Sequence, residues 1–184
     1  MSILAAKTVF PYSVIAVAGF AGSGKNTVGS RVAKRLGWRL VEPTFKDLAK
    51  REGISLDEFQ KKAAADPGID HKFDQELKKQ CEGGHCVVST WLGPWMAPGK
   101  VFKVWLDVPL GTRAARVAGR EKQTVQEAQD HVARRDAQNV ARYQKVYGID
   151  ILDHSKFDLV IDAGRSTPQR SAGWIIRAAG AKPI

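Results

Sequence analysis

Lys25 follows Gly19, Gly22 and Gly24 in the run Gly19-Phe20-Ala21-Gly22-Ser23-Gly24-Lys25, with Asn26 and Thr27 next. This is the G-x-x-x-x-G-K spacing of a phosphate-binding loop. Glycines let the backbone turn inward so that successive N–H groups converge on a β-phosphate, and Lys25 adds a full charge for the β and γ oxygens. Asn26 stands where most such loops place the Ser or Thr that ligates Mg2+, and the hydroxyl comes one residue later, at Thr27. Asn26 and Thr27 are therefore expected to hold magnesium mostly through water, with phosphates as its other ligands. Residues Gly19 to Thr27 are the candidate site for a nucleotide's phosphates.

A second set of charges suits the same chemistry. Phosphoryl transfer asks a protein for positive charge around the migrating group and for exclusion of water. Arg116 and Arg120 lie four apart, just before a break at Glu121-Lys122-Gln123, the layout of a short lid over about 113–125. Arg135 and Arg142 are seven apart on one helical face with Asn139 between them, a row that can grip a phosphate and a sugar hydroxyl. Lys25, Arg116, Arg120, Arg135 and Arg142 form the candidate catalytic set. Asp70 and Asp74 share one face of another helix and are candidates for the acceptor.

These residues need a scaffold. The run Ser13 to Ala18 reads as a buried strand, and Val28, Val32, Ala33 and Leu36 recur at helical spacing after the loop. Further strands are expected at 38–42, 85–90, 101–108 and 157–161, with helices between them. Ser55-Leu56-Asp57-Glu58 and Thr124-Val125-Gln126-Glu127 are capping boxes that open two of those helices. Trp91 to Gly99 reads as an irregular aromatic loop. Alternating strands and helices predict a P-loop NTPase three-layer α/β/α sandwich: a parallel five-stranded sheet with its ligand at the strands' carboxyl ends. Helices at about 43–83 form an acceptor-binding insertion. Residues 1–12 read as an N-terminal arm on a single domain spanning 13–184.

The chain has 184 residues, 43% hydrophobic and 26% charged, with a formal net charge of +10. That charge fits a pocket for polyanionic nucleotides, while a nucleic-acid surface has the same composition. No apolar run approaches the roughly 20 residues that cross a bilayer, and a cytoplasmic monomer is expected. Cys81 and Cys86 in C-x4-C spacing, with no second ligand pair, read as incidental thiols at a helix-ending turn rather than a metal site.

Gly19 to Thr27, Phe45-Lys46-Asp47-Leu48-Ala49, Asp66-Pro67-Gly68-Ile69-Asp70, Arg135 through Arg142-Tyr143, Tyr147-Gly148-Ile149-Asp150 and Phe157 to Asp162 together resemble the archaeal type of cytidylate kinase. That family belongs to the P-loop nucleoside monophosphate kinases. The resemblance implies that Gly19 to Thr27 hold ATP and that Lys46 meets the acceptor's phosphate. It puts Arg116 and Arg120 in the lid, and Arg135, Asn139 and Arg142 beside the acceptor and the transferring group. The implied reaction moves the γ-phosphate of ATP to CMP or dCMP with Mg2+. One segment and one further position depart from the family. Ser89-Thr90-Trp91 replaces a Gly-Arg pair preceded by an acid, and Asn139 replaces a carboxylate. Trp91 in place of Arg exchanges a bidentate contact for a stacking surface, so AMP or another small acceptor is the alternative. An RNA-associated or regulatory P-loop protein with reduced catalysis is a further one.

Overall fold

Short runs of β-branched and aromatic residues, each followed by a stretch of helical periodicity, set the order of elements. The computed structural model describes residues 11–180, apart from the side chain of Asp57. The strands are β1 (Val14–Ala18), β2 (Arg39–Val41), β3 (Cys86–Val88), β4 (Val101–Asp107) and β5 (Leu159–Asp162). The helices are α1 (Lys25–Leu36), α2 (Phe45–Glu52), α3 (Leu56–Ala65), α4 (Gly68–Gln80), α5 (Gly93–Met96), α6 (Leu110–Glu121), α7 (Val125–Tyr147) and α8 (Pro168–Ala178). Most of the expected N-terminal arm, residues 1–12, lies outside the described residues.

The strands form one parallel sheet in the order β2-β3-β1-β4-β5. Its register sets Ala16 beside Val88 on one side and Lys103 on the other. Central β1 is buried along its whole length because helices cover both faces, so its sequence VIAVA shows no polar alternation. Ile15 and Val17 pack with Val28 and Val32 of α1 and Ile175 of α8. Val14 and Ala16 belong to the opposite layer with Leu77 of α4, against which Met96 of α5 packs. Full burial of such a side chain contributes about 1.5–3 kcal/mol, and the pair of clusters holds the three layers together.

Helices α6 and α7 form a hairpin through Ala114, Val117, Ala118, Ala128 and Val132, in a cluster that also takes in Ala21 of the glycine loop. The loop is thus seated on the hairpin. Both expected capping boxes are present, at Ser55–Glu58 and Thr124–Glu127, and Thr44–Asp47 makes a third. Each cap accepts orphan N–H groups of the first turn and is worth about 1 kcal/mol.

Three segments differ from the sequence reading. The loop 91–99 contains the single-turn α5, started by a proline in its first turn, where the missing N–H costs nothing. His85 has φ 49, a left-handed turn residue, so β3 begins at Cys86 rather than at His85. The last strand covers Leu159–Asp162 rather than 157–161, since pairing with β4 starts at Val104↔Leu159.

Candidate active site

Between β1 and α1 the backbone makes the turn that glycine permits. Gly22 has φ 77, and a Cβ there would stand 2.8 Å from the Arg113 carbonyl oxygen, so any side chain would force the loop off the hairpin. Gly24, with φ 86, caps α1 without a side-chain hydrogen bond, which leaves the first-turn N–H groups of α1 directed at the cleft. Ala21, Gly22, Gly24, Lys25, Asn26 and Thr27 line a cleft of about 490 Å3. Gly19, Phe20 and Ser23 do not. Phe20 is an anchor, its ring edge-on to Trp105 at 5.2 Å and to Trp91 at 5.7 Å, and Ser23 is buried beneath the loop.

A buried ion pair holds this loop. Arg113 Nη1 donates to Asp136 Oδ2 at 2.6 Å and to the Ala21 carbonyl at 3.0 Å. Its Nε donates to the Val108 carbonyl at 2.9 Å, and Asp136 Oδ1 accepts from the Ala21 N–H at 3.3 Å. Both peptide groups of one loop residue are therefore gripped from the hairpin. Burial pushes the Asp136 carboxyl up, against the pull of Arg113. Arg113, expected at the start of the lid, is a core residue at 6% exposure. The interruption is confined to Lys122, with φ 54, and the residues up to Thr124.

Lys25 stands half-buried at the cleft floor, its Nζ 5.2 Å from the centre of the Trp91 ring. Burial first, then the Arg135 guanidinium, pull its ammonium down to about 7. Arg116 donates to the Ser23 carbonyl at 3.2 Å and the Ala163 carbonyl at 2.9 Å, a brace from α6 to loop and sheet edge. Arg120 lines the cleft with a largely exposed side chain bonded to Glu121 at 2.8 Å. Arg135 lines it as well, and its Nε is buried with no hydrogen-bond partner, a donor left over for an incoming anion.

The far wall is helical. Phe45, Asp70, Phe73 and Asp74 face the cleft from α2 and α4, with Asn139 and Tyr143 of α7 beside them. Arg142 does not face it. The helical row that lines the cleft is Arg135, Asn139 and Tyr143, four residues apart, whereas Arg142 turns to Asp70 with bonds of 2.6 and 3.0 Å and stacks 4.4 Å from the Phe45 ring centre. Asp74 accepts from the Tyr147 hydroxyl. Burial raises both carboxyls, opposed at Asp70 by the Arg142 guanidinium and at Asp74 by the Tyr147 hydroxyl. Lys46 is exposed on α2 and is not part of either wall. Trp91 lies between Lys25, Phe20 and Tyr143, whose ring centre is 6.3 Å away, so one of its faces is turned to the glycine loop.

Residues 14–165 match the Cytidylate kinase-like family. The chain belongs to that family. It is 40% identical over 158 residues to a cytidylate kinase of Pyrococcus horikoshii, covering 85% of this chain and 82% of the relative. It is 42% identical over 160 residues to a cytidylate kinase of Pyrococcus furiosus, covering 84% and 82%. In fold it is similar to the shikimate kinase of Acinetobacter baumannii, with a TM-score of 0.59 at 17% identity over 91% of this chain and 92% of that one.

The sequence reading gave neither Asp136 nor Tyr143 a role at the site, and placed Arg113 in the lid rather than in a buried pair with Asp136. Asp136 left one trace there: it continues the buried stripe Ala128, Val132, Asp136 of α7, an acid at a core position of a helix rich in arginine. A carboxylate at such a position needs a buried cation.

Proposed function

We propose that this protein is a nucleoside monophosphate kinase that transfers the γ-phosphate of ATP to CMP or dCMP, giving ADP and the nucleoside diphosphate. One observation carries the reading. A single cleft joins the glycine loop and first turn of α1 to an aromatic and acidic wall from α2 and α4, with Arg116, Arg120 and Arg135 between them. In this reading the triphosphate lies along Ala21 to Thr27, and the pyrimidine lies against the cleft side of Phe45 and Phe73, whose rings pack edge to face with centres 5.2 Å apart. Asp70 and Asp74, held by Arg142 and Tyr147, face the base and sugar; Asn139 meets the acceptor from α7. Arg142 thus serves the acceptor through Asp70, and Lys46 joins the acceptor's phosphate only if the acceptor-binding helices close. The acceptor's phosphate oxygen attacks the γ-phosphorus in line, while Lys25 and the three cleft arginines offset the charge that develops. Trp91 acts from the loop side, walling in the Lys25 ammonium.

The residues present suit a hydrated magnesium ion. No group of three or more His, Cys, Asp or Glu among the described residues forms a metal cage, while Asn26 and Thr27 present oxygens on the exposed first turn of α1. The Asn26 amide donates to Glu42 at 3.1 Å, which leaves its carbonyl oxygen for water. Magnesium neutralises phosphate charge when bound there with ATP. No helix among the described residues is long and apolar enough to cross a membrane, and we read the enzyme as a cytoplasmic monomer whose cleft one chain completes.

An ADP-release assay with CMP, dCMP, UMP, AMP and shikimate tests this. CMP or dCMP should give the highest kcat/KM. Turnover with none of the five, or with shikimate alone, removes the proposal.

A further inference from the structure

The first turn of α1 and the ends of two strands meet at one corner of the cleft. The sheet sets Val41 of β2 level with Val88 of β3, and the Ser89 N–H donates to the Val41 carbonyl at 2.9 Å, so Glu42 and Ser89 leave the sheet side by side. Glu42 is partly buried and holds a side chain of the helix: Asn26 Nδ2 donates to Glu42 Oε2 at 3.1 Å. Asn26, Thr27 and Ser89 all line the cleft. The Ser89 hydroxyl is buried there with no hydrogen-bond partner, a polar group left for a guest.

A side-chain amide donates at one end and accepts at the other, and the two ends are alike in shape. Water bound to magnesium donates its hydrogens outward, so only the oxygen end of Asn26 serves it. A hydroxyl at this place would turn freely and face no such choice. For Asn26 the neighbour makes the choice. A carboxylate only accepts, so Glu42 takes the NH2 end and leaves Oδ1 for the cleft. The acids that line the cleft, Asp70 and Asp74, are held on the far wall by Arg142 and Tyr147.

We propose that Glu42 is a positioning residue for magnesium-loaded ATP, which it serves by fixing the Asn26 amide with its oxygen toward the hydrated ion. That role rests on the ATP site proposed above and is independent of which acceptor is phosphorylated.

Calorimetry on the full chain measures ATP affinity in EDTA and in saturating magnesium, and the ratio of the two is the magnesium preference. Glu42→Gln keeps the size of the side chain but donates as readily as it accepts, so the Asn26 amide is free to flip. The preference should fall about tenfold, with affinity in EDTA level or higher. Glu42→Lys, a pure donor, should bind magnesium-free ATP more tightly than the wild type and lose more of the preference. Asn26→Thr removes the amide, and in that background Glu42→Gln should change the preference by less than about twofold. Three results overturn the proposal: an unchanged preference in Glu42→Gln, a tenfold fall that persists beside Asn26→Thr, or equal losses of affinity with and without magnesium, which mark a role in the fold alone. Wild-type protein that binds no ATP in either medium removes the nucleotide site itself.

Discussion

Along Gly19 to Thr27 every group that faces the cleft comes from one unbroken stretch of chain, much of it backbone. The opposite wall is assembled from distant parts: Asp70 is held by Arg142, 72 positions away, and Asp74 by Tyr147, 73 positions away. The first region is a shape and the second is a set of charges. A shape made by backbone amides tolerates little side-chain growth yet needs an external frame, which here is the buried pair Arg113–Asp136. A wall of buried carboxylates needs cations and hydroxyls to keep it in register. The two halves should therefore fail differently when broken.

The largest expected loss lies on the loop side. Lys25→Met should lower kcat/KM on the order of 10³-fold with the fold intact, since the charge aimed at the migrating phosphoryl group goes; a loss below tenfold would remove Lys25 from the chemistry. Asp136→Asn leaves Arg113 buried without its counter-charge and should cost about 3–5 kcal/mol of stability. In the protein that remains folded, KM for ATP should rise more than KM for CMP. Equal shifts in both would mean that the pair supports the hairpin and not the loop.

On the wall side the order reverses. Arg142→Lys keeps the charge but loses the two bonds to Asp70 and the stack on Phe45, and should raise KM for CMP about tenfold with KM for ATP unchanged. A matching rise for ATP would dissolve the distinction between the two halves.

The smallest effect is electrostatic. Burial and then Arg135 pull the Lys25 ammonium down to about 7, and triphosphate oxygens favour its charged form, so its value rises when ATP binds. Affinity for magnesium-loaded ATP should be at full strength below pH 7 and weaken as the pH rises above it, with about one proton taken up per ATP bound at pH 8. Calorimetry in two buffers of different ionisation enthalpy measures that uptake. Zero uptake would mean that the ammonium is never desolvated.

Much of the first half was legible in the chain itself. Glycine spacing, Lys25 and the helical repeat of α1 are local facts, and the capping boxes at Ser55 and Thr124 open helices at the expected places. The arginine row was half legible. Helical spacing put Arg135, Asn139 and Arg142 on one side of α7, but a seven-residue step and an eight-residue step differ by about 100° around a helix. Packing against Asp70 and Phe45 turned Arg142 away and left Tyr143 to complete the row. Trp91 was read as a stacking surface, while its place beside Lys25 depended on where β3 ends relative to β1.

The amino-acid order alone determined the elements, their sequence along the chain and the phosphate loop, because backbone propensity, capping and hydrophobic period act over a few residues. Tertiary structure alone decided that Asp136 reaches the loop 115 positions earlier through the Ala21 N–H, and that Arg142 pairs with Asp70. Those contacts join groups whose separation in sequence carries no period. Burial supplies the reason they form, since a charge or polar group taken from water must find a partner wherever packing has placed one.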